Sequence, residues 1–153
     1  DEVPVSMVID HIGIVVPRLE EGLDRWTRIF GYTQLTEPVV NARQGVRVVF
    51  LSKQGSAMVK LVEPTDEGSP VLRLAQRGGG LHHLCFRCDD LEAEIGRLKG
   101  LGLQVLAEPQ PGEALEGEAI AFVFAKQGLN IELNGTDRKA KLLKTPGKED
   151  NVP

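Results

Sequence analysis

The chain has 153 residues, of which 41% are hydrophobic and 26% charged, and 22 acidic against 18 basic residues give a net charge of −4. This composition fits a single globular domain and excludes both wholesale disorder and a multidomain assembly. Without a basic stripe or an apolar run of about 18 residues, we expect no nucleic-acid partner and no membrane span. The segment DEVPVSM has neither the basic nor the apolar region of a signal peptide, so we expect a cytoplasmic protein.

The predicted elements occur twice along the chain. His83 lies 72 positions after His11, and the sequences around the two histidines align at that offset. Each half begins with an apolar strand and continues into a helix with apolar spacing. Each then closes with three strand-like runs, which are 34–37, 46–51 and 57–62 in the first half and 103–107, 119–124 and 129–134 in the second.

This pattern predicts an α+β fold built from two βαβββ modules. We assign the modules to residues 8–63 and 80–135, joined by a linker at 64–79, within a single domain spanning 1–135. The remaining sequence, TDRKAKLLKTPGKEDNVP, is rich in lysine and has almost no apolar periodicity. We therefore expect residues 136–153 to form a flexible polar tail.

Cys85 and Cys88 form a C-x-x-C motif, which can indicate a redox pair or half of a zinc site. Because both residues fall in a predicted strand, alternation places the two thiols on opposite faces of the sheet. We interpret them as structural cysteines.

Strand alternation also predicts which polar side chains meet. If the apolar residues of each first and last strand face the helices, then the intervening residues face the opposite, concave surface. Four polar side chains converge there, namely His11, Lys60, His83 and Glu132. His82, next to His83, is expected to point to the other face as a packing or hydrogen-bonding residue.

Two imidazoles and a carboxylate on one sheet face can supply three ligands to a divalent metal. Lys60 complicates this interpretation because an ammonium has no free lone pair and repels a cation. The alternative is that an ion pair between Lys60 and Glu132 has replaced the metal.

Several motifs of the chain form a recognisable set, namely IDHIGIVV, QGVRVVFL, LVEPTDEGSPV, GGGLHHLCFRCDD, AEPQPG, AIAF and NIEL. On these motifs the chain resembles the vicinal oxygen chelate (glyoxalase/bleomycin-resistance) superfamily, and most closely its methylmalonyl-CoA epimerases. The resemblance implies a glyoxalase-like fold, in which two βαβββ modules form a curved mixed β-sheet cleft.

The resemblance implies that His11, His83 and Glu132 occupy three of the four metal-ligand positions of the family, for Co, Ni, Zn or Mn. The fourth position, normally Gln or Glu, falls at Lys60, so we expect metal binding to be weak or absent. Val48 stands where the epimerases have an acidic residue. The loop after AEPQPG also departs from the family in its three glutamates, Glu113, Glu116 and Glu118.

By this resemblance the chain is an epimerase-like enzyme that shifts a proton alpha to a thioester or another carbonyl through a stabilised enolate. Glu132 would be a ligand or a base, and Lys60 would stabilise the enolate or act as the opposing base. Two alternatives stay open, a glyoxalase-type lyase or isomerase and a non-catalytic protein that binds an acyl thioester or small metabolite. The sequence also leaves open the identity of the substrate and whether two chains form a homodimer.

Overall fold

The structure is a computed structural model that describes residues 7–125 and 128–143. Its first half comprises β1 (Val8–Val15), α1 (Leu19–Arg28), β2 (Thr33–Gln34), β3 (Val39–Asn41), β4 (Val46–Ser52) and β5 (Met58–Pro64). A short helix, α2 (Leu72–Gln76), leads to β6 (Gly80–Arg87), α3 (Leu91–Gly100), β7 (Gln104–Pro111), β8 (Ala119–Ala125) and β9 (Leu129–Asn134). No helix in these ranges is long and apolar enough to cross a membrane.

The nine described strands form one mixed sheet in the order β2-β4-β5-β1-β6-β9-β8-β7, with β3 paired to β4. At the centre β1 runs antiparallel to β6, and each of them is parallel to the last strand of its own half. This arrangement confirms the predicted α+β fold of paired modules. Of the strand expected at 34–37, only Gln34 lies in a strand, at the end of β2; β3 begins after Pro38, which has no N–H to donate.

The sequence repeat is preserved as a repeat in strand register. Lys60 on β5 lies opposite Gly13 on β1. In the second half Glu132 on β9 lies opposite Cys85 on β6. Glu132 follows Lys60 by 72 positions. Their partners on the neighbouring strands, Cys85 and Gly13, are separated by the same number of positions. The two halves therefore present these residues at equivalent places on the sheet.

Apolar side chains pack on both faces of the sheet. Val49 and Leu51 of β4 pack with α1, and the second half has an equivalent cluster under α3. The intervening residues Val48 and Phe50 face the other way and pack with Leu115 and other residues of the second half. The concave surface between the halves thus has an apolar lining in which any polar side chain is shielded from water.

Residues 136–143, the first part of the predicted flexible polar tail, contact the rest of the molecule, and we call them the C-terminal strap. The Leu143 N–H donates to the Leu35 carbonyl at 2.9 Å, and the Ala140 N–H donates to the Ala114 carbonyl at 2.8 Å. The strap therefore contacts both halves of the molecule. It is ordered because its backbone groups and the buried Lys139 find partners distant in sequence. Residues 144–153 lie outside the described residues.

Candidate active site

The structure brings the four predicted site residues together in one buried cluster. The Lys60 ammonium Nζ lies 3.0 Å from Glu132 Oε1, and His83 Nε2 lies 3.2 Å from the same oxygen. His11 Nε2 lies 3.3 Å from His83 Nε2 and 3.7 Å from Glu132 Oε2. All four residues are at most 4% exposed. Their catalytic and metal-binding roles stay predictions.

Gly13 creates the space that His83 occupies. These residues lie opposite each other on β1 and β6. A Cβ atom at Gly13 would lie 2.1 Å from His83 Cε1, closer than any real contact. The His83 imidazole therefore packs directly on the backbone of β1, and this contact fixes the ring beside Glu132.

Two β-bulges add side chains that strand alternation does not predict. The pairing of β1 with β6 shifts between Ile9 and His11, which leaves Asp10 out of register. It shifts again opposite Gly13 and Ile14, where His82 is left out. The prediction that His82 points away from the site is therefore wrong, because the bulge overrides the alternation. His82 Nδ1 lies 2.8 Å from His83 Nδ1, and His82 lines the same cavity as His83.

Asp10 and Lys139 form a second layer behind the cluster. Asp10 Oδ2 accepts a hydrogen bond from His11 Nδ1 at 2.7 Å and lies 3.3 Å from Lys139 Nζ. Sequence reasoning missed both residues. The adjacent Asp and His of IDH were a local signal for Asp10, since site histidines are often oriented by a carboxylate. For Lys139 the sequence offered no comparable signal.

The pKa directions define the charges of this cluster. Burial raises the pKa of Glu132, but Lys60 and His11 more than offset that effect and hold it well below its usual range. Burial lowers the pKa of His83 to about 4 despite its contact with Glu132. Near neutral pH, Glu132 is therefore a carboxylate and His83 a neutral imidazole.

The contacts then indicate which ring nitrogens carry protons. The carboxylate of Asp10 can only accept, so His11 Nδ1 carries a proton. Neutral His83 carries its proton on Nε2, between Glu132 Oε1 and His11 Nε2, so its Nδ1 accepts from His82. Burial lowers the pKa of His82 as well, which keeps its imidazole neutral with the lone pair on Nε2.

A cavity of about 230 Å³ opens onto this cluster. Three titratable side chains line it, namely Lys60, His82 and His83. Its other lining residues are Gln44, Val46, Val62, Val71, Leu106, Ala107, Phe122 and Asn130. His11 and Glu132 are not among the lining residues, and the three acids of the 112–118 loop are absent from the lining too. A ligand in the cavity would therefore meet the Lys60 ammonium before it met the Glu132 carboxylate.

His11, His83 and Glu132 also form a group that could hold a metal ion, since their ligand atoms lie within 4.8 Å of one another. Among the described residues, Glu132 Oε2 is a buried oxygen without a hydrogen-bond partner. The other oxygen of the same carboxylate contacts Lys60. The cluster thus has three groups that could bind a metal, and the Lys60 ammonium contacts an oxygen of one of them, Glu132.

Comparison with known proteins places this geometry in a family. Residues 10–122 match the family model of the glyoxalase/bleomycin resistance protein/dioxygenase superfamily. The chain belongs to this superfamily. The ethylmalonyl-CoA/methylmalonyl-CoA epimerase of Cereibacter sphaeroides is 30% identical over 129 residues, which cover 82% of this chain and 95% of that protein.

Solved structures lead to the same group of enzymes. The methylmalonyl-CoA epimerase of Mycobacterium tuberculosis is 32% identical with a TM-score of 0.76, covering 88% of this chain and 92% of that one. A Streptomyces coelicolor methylmalonyl-CoA epimerase in complex with 2-nitronate-propionyl-CoA is 32% identical with a TM-score of 0.73, covering 85% and 97%. The predicted resemblance to methylmalonyl-CoA epimerases is confirmed, and the chain is an epimerase-like enzyme of this superfamily.

Proposed function

We propose that the protein epimerises an acyl-CoA of the methylmalonyl type, and that the Lys60 ammonium stabilises the enolate intermediate. The similarity to acyl-CoA epimerases supports the reaction class. The observation that carries the assignment to Lys60 is its position. Lys60 is a buried cation on the cavity wall, held 3.0 Å from the Glu132 carboxylate.

The reaction removes the proton from the carbon between the thioester and the carboxylate of the substrate. The C–H electron pair then moves into the bond to the carbonyl carbon, and negative charge develops on the thioester oxygen. A fixed cation in a poorly hydrated cavity stabilises that charge more strongly than water does. Glu132 contacts the Lys60 ammonium at 3.0 Å and orients it, so Glu132 acts here through Lys60.

The proton must be accepted and then returned to the opposite face of the enolate. His82 is suited to accept it, since its imidazole is neutral, lines the cavity and carries a lone pair on Nε2. Lys60 is the second cavity-lining group with a proton to deliver. In this geometry Glu132 is less suited to be the base, because Lys60 and His83 both contact Oε1.

The donor set of this chain does not fit the divalent metal expected of the family. Three ligands are present, but the fourth side chain is an ammonium that contacts one of them at 3.0 Å. A divalent ion on these ligands would share Glu132 with a cation and meet its repulsion. We therefore assign to Lys60 the positive charge that the reaction requires.

The size of the cavity favours an acyl group as the portion of the ligand that enters it. A volume of about 230 Å³ corresponds to roughly eight water molecules at about 30 Å³ each. A branched dicarboxylic acyl group of a few carbons fits such a space, but the nucleotide of coenzyme A does not. The carrier would then extend outside, past the rim of the cavity.

Deuterium exchange tests this proposal. Incubated with methylmalonyl-CoA in D₂O, the wild-type protein should exchange the α-proton, as observed by ¹H NMR, and EDTA should leave the rate unchanged. Lys60→Met should lower the rate by about 100-fold, the usual effect of removing one charge-stabilising group. Lys53→Met is the matched control because Lys53 is exposed and donates to the Phe30 carbonyl. Binding of the substrate without exchange would contradict the proposal and indicate a non-catalytic binding protein.

A further inference from the structure

The C-terminal strap directly follows the second half and also contacts the first half. Thr36 and Leu142 form an antiparallel bridge, and the Glu37 N–H donates to the Lys141 carbonyl at 3.0 Å. The strap also binds the 3₁₀ turn Glu113–Leu115 of the second half, because the Ala140 N–H donates to the Ala114 carbonyl. These contacts fix the backbone on the C-terminal side of Lys139.

Lys139 extends from the strap into the interior. Its side chain is 2% exposed. The ammonium Nζ lies 3.3 Å from Asp10 Oδ2, donates to the Asp137 carbonyl at 3.2 Å, and lies 5.0 Å from the centroid of the Phe50 ring. A lysine is rarely this buried without a specific anionic partner, and here that partner is Asp10.

Asp10 depends on this contact. Its carboxylate is fully buried in the bulge of β1, and the other nearby cation, Arg87, lies 3.6 Å away with a side chain that is 40% exposed. The same Asp10 oxygen that contacts Lys139 accepts the proton of His11 Nδ1. Lys139 therefore restricts both the charge and the orientation of the group that orients His11.

We propose that Lys139 is a positioning residue of the candidate active site, and that the C-terminal strap assembles the site by holding Asp10 against His11. His11 Nε2 lies 3.3 Å from His83 Nε2, and His83 in turn contacts His82 through Nδ1. The effect of Lys139 thus reaches the cavity through a continuous chain of hydrogen bonds. The strap lies outside residues 10–122, which match the superfamily model.

The test compares Lys139→Met with Lys139→Arg and with the control Lys141→Met, which changes an exposed lysine of the same strap. One readout is the ¹⁵N chemical shifts of the histidine rings, which report the tautomer and hydrogen bonds of His11. The other is kcat and KM for α-proton exchange with methylmalonyl-CoA. The activity readout rests on the proposed function, whereas the NMR readout does not.

Lys139→Met should shift the His11 ring signals and lower kcat at least tenfold with KM within twofold. Lys139→Arg should restore both, and Lys141→Met should resemble the wild type. Unchanged His11 signals, or shifted signals with an unchanged kcat, would overturn the proposal. If the wild type exchanges no proton, the proposed function fails and the His11 signals alone decide the role of Lys139.

Lys139→Met leaves a buried carboxylate without its partner, which can prevent folding. In that case the double variant Asp10→Asn with Lys139→Met, which removes both charges, gives the answer by circular dichroism. A folded double variant supports the proposal, because the single variant then failed through the unpaired charge of Asp10. A double variant that also fails to fold overturns it, since Lys139 would then act only by packing.

Discussion

Replacing Lys60 by glutamine should convert the candidate active site into a metal-binding site. The substitution removes the ammonium that lies 3.0 Å from Glu132 Oε1 and supplies an amide oxygen one bond nearer to the backbone. The three ligand groups of His11, His83 and Glu132 stay in place. Glutamine therefore completes a neutral or anionic donor set around the space that the ammonium occupies.

The magnitude follows from Coulomb's law. Two unit charges about 4 Å apart interact with about 4 kcal/mol at an effective dielectric constant of 20, so a divalent ion and an ammonium repel by about 8 kcal/mol. Rotation of the Lys60 side chain would relieve much of this repulsion. If a quarter of it persists, the penalty is about 2 kcal/mol, or roughly 30-fold in affinity. Lys60→Gln should accordingly bind Co²⁺ or Zn²⁺ at least about 30-fold more tightly than the wild type.

Isothermal titration calorimetry with Co²⁺ and Zn²⁺ measures this difference directly. Lys53→Gln controls for the loss of one positive charge at an exposed position, and it should leave the affinity of the wild type unchanged. His11→Ala, added to Lys60→Gln, should weaken binding again. Equal and tight binding by the wild type and Lys60→Gln would refute the reasoning, because the ammonium would then not oppose the metal.

Two further predictions concern the stability of the cluster. The folded-state pKa of His83 is about 4, below the ordinary value of about 6.5. The unfolded chain thus binds its proton more readily, and stability falls as the pH decreases from 6.5 towards 4. Linkage gives a loss of about 2 kcal/mol from His83 between pH 7.5 and 5. Urea unfolding should show this loss, and His83→Gln should reduce it; an equally steep loss in the variant would contradict the reasoning. Gly13→Ala should destabilise the protein by about 1–3 kcal/mol, because the new methyl group overlaps His83. Gly96→Ala, at an exposed position of α3 with open space around it, should instead stabilise by up to about 1 kcal/mol. Equal melting temperatures for Gly13→Ala and the wild type would contradict the close packing on β1.

The fold and the four central residues could be predicted because the repeat constrains them twice. An offset of 72 residues relates His83 to His11 and Glu132 to Lys60. A duplicated module keeps its strand register, since a slip by one residue would turn every side chain to the other face. Two aligned halves therefore specify which residues share the concave surface, even though neither half alone identifies a site.

The second layer could not be predicted in the same way. Asp10 and His82 lie in bulges, and a bulge changes the facing of single residues without changing the hydrophobic pattern around it. Lys139 belongs to a basic segment whose composition is typical of a solvated tail. Its burial depends on Asp10, which lies near the opposite end of the chain, and sequence patterns carry no information on such a pairing. The protonation states of the histidines depend on these same residues.

Two buried ion pairs flank His11. Asp10 pairs with Lys139 on one side of His11, and Glu132 pairs with Lys60 on the other. Within these two pairs the four charges cancel. A buried cluster of this kind is stable only when each charge has its partner, because one unpaired charge costs several kcal/mol. The change of one ligand position to lysine therefore has two effects. It neutralises Glu132 from within the chain, and it leaves a single cation facing the cavity, where an enolate would require it.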